Sequence, residues 1–101
     1  MSSLFVLIRH DDRLIDDLEI LPDGDYDTIH EAIGGYITYM PRNLMPNQLP
    51  YRNGFRKLLN VILDEEGGLK NLPFNKRATL MLGGGYPILG DAILEIGEVI
   101  E

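Results

Sequence analysis

The chain has 101 residues, no cysteine and a formal net charge of −7. This length predicts one small domain over residues 1–101, and the lack of cysteine excludes disulfides, thiolate metal sites and cysteine nucleophiles. A composition of 45% hydrophobic and 25% charged residues excludes a disordered chain. No apolar run reaches the ~20 residues of a membrane span and the start has no basic leader, so we expect a soluble, cytoplasmic protein.

The first half of the chain predicts two strands and a helix. Residues 4–8 are a continuous apolar run, which is typical of a strand buried on both faces. Every second residue is apolar over much of 13–21, which favours a half-buried second strand. Thr28 and Glu31 have the spacing of a capping box, so a helix of about two turns begins there, and Gly34 or Gly35 ends it.

The second half predicts three more strands. Residues 36–40 are β-branched and aromatic, residues 58–64 again form a strand, and residues 88–96 form the last one. Residues 41–54 contain three prolines and predict a long loop, while a short helix begins within 71–75. We therefore expect an α+β fold, with a single small mixed or antiparallel sheet of about five strands and two or three short helices.

Charge is sorted along the chain. Residues 11–31 contain nine carboxylates opposed only by Arg13, whereas residues 32–63 contain none. Each segment could be a solvated face of the domain, since charged runs usually are. Alternatively, the two segments attract each other between subunits, or the positive one meets an anionic partner.

Most motifs for chemistry are excluded. The only serines, Ser2 and Ser3, lie at the terminus, and two histidines without cysteine leave little for a zinc site. Residues 85–90 have the spacing of a phosphate-binding loop, but Asp91 stands where a lysine is required. His10 beside Asp11 or Asp12 could act as a general base, with a plain surface turn as the alternative. We expect a non-catalytic protein without a cofactor or metal.

One segment, residues 51–57, has the residue types that bind an anionic ligand. Its rings could stack on a base and its cations could hold a phosphate. The structural alternative is a loop whose aromatic residues pack on the core while its cations reach into solvent. The candidate ligand-binding residues are Arg42, Tyr51, Arg52, Phe55, Arg56 and Lys57.

Two stretches resemble a known family. Residues 29–37 contain Gly-Gly-Tyr-Ile after a helical segment, and residues 63–78 contain an acidic Glu-Gly turn followed by Leu-Pro-Phe-Asn-Lys-Arg-Ala. Both, with the closing residues 88–94, resemble an uncharacterised domain family spread through bacteriophages and mobile elements. The resemblance implies a phage-type accessory protein in the cytoplasm of the infected host, and supplies no activity. The segment from 41 to 57 looks longer than the family's usual connection.

These observations support three hypotheses. The first is a sponge that sequesters an anionic, nucleotide-derived defence signal and assembles as a homo-oligomer, because one small domain encloses a nucleotide poorly. The second is an acidic mimic of DNA, with residues 11–31 blocking a host nuclease or DNA-binding protein. The third is an enzyme that uses His10, for which few groups are present to stabilise developing charge.

Overall fold

The computed structural model describes residues 3–11, 19–50 and 54–100. Of these, Val99 and Ile100 are described by their backbone only. A single turn of 3-10 helix, Arg42–Leu44, accompanies six strands and two α-helices in these ranges. The strands are β1 (Leu4–Ile8), β2 (Glu19–Ile20), β3 (Ile37–Tyr39), β4 (Gln48–Pro50), β5 (Phe55–Asp64) and β6 (Ala92–Ile100), and the helices are α1 (Tyr26–Ile33) and α2 (Lys76–Met81).

All the strands belong to one sheet, and each described pairing is antiparallel. The order is β2-β1-β6-β5-β3, and β4 pairs with β5. Because Phe55 pairs with Pro50 on one side and Ile100 on the other, β4 shares an edge of β5 with β3. The α+β class and the single antiparallel sheet are confirmed, with one strand more than expected.

A hydrophobic core lies on each face of this sheet. Successive side chains of a strand point to opposite faces, so β6 places Ile93 in one core and Leu94 in the other. The α1-side core consists of buried Leu7, Leu21, Ile29, Ile62 and Ile93. The α2-side core includes Val6, Ile8, Leu49, Leu58, Val61, Ala78, Leu82, Ala92 and Leu94. Strand β1 therefore contributes to both cores, as its apolar run predicts.

Helix α1 begins earlier than the sequence predicts. Its first residue is Tyr26, after Asp25 in an extended conformation, so the predicted capping box at Thr28 is wrong. Gly34 ends the helix as predicted, with φ at 83° and its N–H donating to the carbonyl of His30. A residue with a Cβ is strained in this left-handed conformation, which explains the glycine.

The prediction of a long loop over 41–54 is wrong. Leu49 is buried and fixes β4 against β5, which begins at Phe55 rather than at 58. Prolines are tolerated in an edge strand because one side of it makes no ladder hydrogen bonds, so their number does not exclude β4. Of the predicted rings and cations, Phe55, Arg56 and Lys57 consequently lie in β5, where it pairs with β4.

The boundaries of the last two elements also differ from the prediction. Asn75 caps α2, which begins at Lys76 because Phe74 is extended and bridges to Leu89. Strand β6 extends from Ala92 to Ile100, so its start and its end each lie four residues later in the chain than predicted. The strand predicted over 13–21 is described only as β2, since residues 12–18 lie outside the described ranges.

Candidate functional site

Three of the six predicted ligand-binding residues lie in the described part of the β4–β5 hairpin. Phe55, Arg56 and Lys57 are the first three residues of β5. Tyr51 and Arg52 belong to the connection between β4 and β5 and lie outside the described residues. The sixth candidate, Arg42, lies in the 3-10 helix that precedes β4.

The strand alternation divides the three residues of β5 between the two faces of the sheet. Arg56 pairs with Leu49, and cross-strand partners share a face, so Arg56 is on the side of the α2-side core. Phe55 and Lys57 are consequently on the opposite face, with their partners Pro50 and Gln48. We call these four residues, Gln48, Pro50, Phe55 and Lys57, the hairpin face.

The hairpin face combines a ring with a cation in the open. The Phe55 residue is 50% exposed, and Lys57, Gln48 and Pro50 are also exposed. Residues two apart in a strand are separated by about 6.7 Å along it. A single ligand could therefore contact the ring and the ammonium group together.

Arg42 makes its described contacts within the chain. Its Nη1 atom donates to the carbonyl oxygens of Leu58 at 2.7 Å and Leu59 at 3.2 Å, and Nη2 donates to Asn47 Oδ1 at 3.4 Å. Leu58 and Leu59 lie between the stretches of β5 that pair with β4 and with β3. The guanidinium group thus supplies hydrogen-bond donors to the part of β5 that pairs with neither β3 nor β4. Its contact with Asn47 also links it to the residue before β4.

Two other cations also contact the chain itself. Arg56 Nη1 donates to the carbonyl oxygen of Gly97 at 3.3 Å, which ties β5 to β6 beside a register shift. Lys70 donates to the buried carboxylate of Asp64 at 2.9 Å. This hydrogen bond to Asp64 raises the pKa of Lys70. Phe55 and Lys57 are therefore the candidates that the described structure brings together on one open face.

A second polar cluster lies at the other end of the central strands. Asp91 Oδ1 accepts a hydrogen bond from the backbone N–H of His10 at 2.9 Å and lies 3.0 Å from its Nδ1 atom. His10 follows β1 and Asp91 precedes β6, two strands that pair antiparallel. The sequence predicts that His10 would act with Asp11 or Asp12, whereas the structure pairs His10 with Asp91. Asp12 is outside the described residues.

Asn75 holds the backbone beneath this pair. Its side chain is fully buried and donates from Nδ2 to the carbonyl oxygens of Ile8 and Gly90, both at 2.9 Å. Its Oδ1 atom accepts from Ala78 N–H at 2.9 Å and so caps α2. The chain segments that carry His10 and Asp91 are therefore fixed to each other and to α2.

Acidic side chains surround the start of α1. Asp23, Asp25, Asp27 and Glu31 are exposed, and Asp11 is exposed beside His10. Hydrogen bonds from the Thr28 side chain and the Asp25 backbone lower the pKa of Asp23, so it stays ionised at neutral pH. Among residues 3–11, 19–50 and 54–100 there is no group of three or more carboxylates and histidines placed to hold a metal.

No helix in the described part of the chain is long and apolar enough to cross a membrane. In comparisons with known proteins, the chain matches no family model, no curated protein and no solved structure. Its function is therefore inferred from its own side chains.

Proposed function

We propose that the protein is a binding protein that sequesters a small anionic, nucleotide-like ligand at the hairpin face by a non-catalytic mechanism. The observation that supports this proposal is that Phe55 and Lys57 share one exposed face of β5. The ring offers a stacking surface for a base, and the ammonium group offers a charge for a phosphate. Tyr51 and Arg52, which lie outside the described residues, are further groups of the same types in the sequence.

The energies of these contacts set the expected affinity. Stacking of one base on an aromatic ring contributes about 1–3 kcal/mol. A hydrogen bond to a charged group contributes about 1.5–3 kcal/mol. Together they support weak binding by one chain, so tight sequestration requires the connection residues or a second subunit. We accordingly propose a homo-oligomer in which two hairpins contribute to one ligand site.

The resemblance to phage and mobile-element domains supplies the biological setting of the proposal. In that setting the protein acts in the host cytoplasm, and the ligand is a nucleotide-derived signal of host defence. Sequestration lowers the free concentration of such a signal and needs no catalytic group. The net charge of −7 also limits unspecific binding of nucleic acid to the basic and aromatic face, because the rest of the surface repels a polyanion.

Calorimetry with a panel of mononucleotides and linear and cyclic dinucleotides tests this proposal. We expect Phe55→Leu, which keeps an apolar side chain but no ring, to weaken binding about 5- to 150-fold. Lys57→Gln should also weaken binding, whereas Lys76→Gln, the same change at an exposed lysine of α2, should not. Absence of heat with every nucleotide, or equal effects of the two lysine substitutions, would contradict the proposal.

A second candidate function is an acidic mimic of DNA that inhibits a host nuclease or DNA-binding protein. The observation that favours it is the group of exposed carboxylates at the start of α1, including Asp27 and Glu31 one turn apart. The double substitution Asp27→Lys and Glu31→Lys should abolish inhibition of a nuclease without unfolding the chain. Unchanged inhibition would assign these carboxylates to an ordinary solvated surface.

A further inference from the structure

We propose that His10 is a second, chemically reactive site, separate from the hairpin face: its Nε2 atom accepts acyl groups from uncharged esters and anhydrides, with Asp91 as a positioning residue. The two sites lie at opposite ends of β6, since Asp91 precedes this strand and the hairpin pairs with its far end. This site does not depend on the binding function proposed above.

The contact with Asp91 determines which nitrogen of His10 is reactive. An ionised carboxylate only accepts hydrogen bonds, so the proton of the neutral imidazole resides on Nδ1, which faces Asp91 Oδ1 at 3.0 Å. The lone pair is then on Nε2. Among the described residues no hydrogen-bond partner of Nε2 is present, and the His10 side chain is 36% exposed. In this tautomer Nε2 is the nucleophilic atom of a partly exposed side chain.

The pair is also fixed in place. The same Asp91 oxygen accepts the backbone N–H of His10, so the carboxylate position depends on the main chain as well as on the ring. Asn75 binds the carbonyl oxygens of Ile8 and Gly90, which are two residues and one residue away from His10 and Asp91. A ring held by a carboxylate on a rigid backbone needs little reorganisation before it reacts.

The charges around His10 indicate the class of substrate. Glu19 hydrogen-bonds Arg9 at 3.1 Å, and Glu19, Asp91 and Asp11 all raise the pKa of Arg9, so these groups are neighbours. Among the residues that the structure describes, three carboxylates against one guanidinium give this cluster a negative charge. A negative site repels phosphates and carboxylate esters, and it stabilises the positive charge that develops on an attacking imidazole. An uncharged acyl donor fits both conditions.

The reaction has two balanced steps. The Nε2 lone pair forms a bond to the carbonyl carbon, and the bond from this carbon to the leaving oxygen breaks with its electron pair. The Nδ1 proton passes through Asp91 or solvent to the leaving group, which gives a neutral N-acylimidazole. Water then attacks the acyl carbon, releases a carboxylic acid and restores His10 with its proton.

Carbethoxylation by diethyl pyrocarbonate, an uncharged acyl donor, tests the first step. The rate at His10 is measured by mass spectrometry at alkaline pH, with His30 on α1 as the control in the same chain. We expect His10 to react faster than His30, and Asp91→Asn to slow His10 about tenfold with His30 unchanged. Asp91→Asn keeps an oxygen for the His10 N–H, so it tests the charge, and Asp91→Glu should restore most of the rate.

Equal rates at the two histidines, or a His10 rate that Asp91→Asn leaves unchanged, would overturn the proposal. Turnover and substrate class are tested with methyl 4-acetoxy-3-nitrobenzoate and its anionic free acid. The difference in nitrophenolate release between the native chain and His10→Ala should be larger for the uncharged ester. No difference for either ester would overturn the acyl-transfer activity, and a larger difference for the anion would overturn the substrate class.

Discussion

Replacing Asn75 with alanine should destabilise the protein more than any exposed polar substitution. The side chain is 0% exposed and makes three hydrogen bonds at 2.9 Å: two donated to the carbonyl oxygens of Ile8 and Gly90, and one accepted from Ala78 N–H. Asn75→Ala removes all three. It leaves two carbonyl groups without their donors in the interior and the first turn of α2 without its cap.

The magnitude follows from these contacts. Loss of a helix cap costs about 1 kcal/mol. Each of the two buried carbonyl groups left without a partner costs about 1–3 kcal/mol, so the total is about 3–7 kcal/mol. A domain of 101 residues has a free energy of unfolding of about 5–15 kcal/mol, of which this loss is a large part. Asn75→Asp should lose a similar amount, since it keeps the acceptor but places a carboxylate against two carbonyl oxygens.

Equilibrium unfolding in urea, followed by circular dichroism, measures this effect. With a slope of about 1.5 kcal/mol per molar urea, the midpoint should fall by roughly 2–5 M. Asn43→Ala, at an exposed asparagine in the 3-10 helix, is the matched control and should change stability by less than about 0.5 kcal/mol. A loss below 1 kcal/mol for Asn75→Ala would refute the role assigned to its hydrogen bonds.

Three further substitutions test other features. Arg42→Met should lower the free energy of unfolding by about 1–2 kcal/mol in urea titrations, because the carbonyl groups of Leu58 and Leu59 lose a charged donor; no loss would show that water replaces it. Gly34→Ala should cost about 1 kcal/mol in thermal unfolding, since φ is 83° there, and an unchanged Tm would contradict the left-handed cap. The pKa of Asp23 is lowered in the folded chain, so its contribution is present above the unfolded value near pH 4 and is lost as pH falls through the folded one. The native chain should therefore lose stability below about pH 4 more steeply than Asp23→Ala, and parallel profiles would contradict this.

The elements that the sequence predicts well are those whose signals are local. The apolar run of β1 reports burial on both faces, and Gly34 reports a left-handed residue, which needs no knowledge of the rest of the chain. Strand β6 is also predicted, although it begins at Ala92 rather than at 88, and Ile93 and Leu94 alternate between the two cores as in any strand buried on both faces.

The parts that sequence reasoning missed depend on distant contacts. His10 and Asp91 are 81 positions apart, and only the pairing of β1 with β6 brings them together. The hairpin at residues 48–57 was hidden by its prolines, whose effect on a strand depends on whether it is an edge. The hydrogen bonds from Arg42 to backbone carbonyl groups cannot be predicted from residue types, since any cation near an irregular sheet edge could make such bonds.

The position of the sheet between the two helices has a consequence for partial unfolding. Helix α1 packs only on its own side of the sheet, through Ile29, and α2 packs on the other side, through Ala78. Detachment of one helix therefore exposes one apolar face of the sheet, while the core beneath the other helix stays buried. Such partly unfolded molecules would be the species from which aggregation begins in a concentrated solution, before strands β5 and β6 separate.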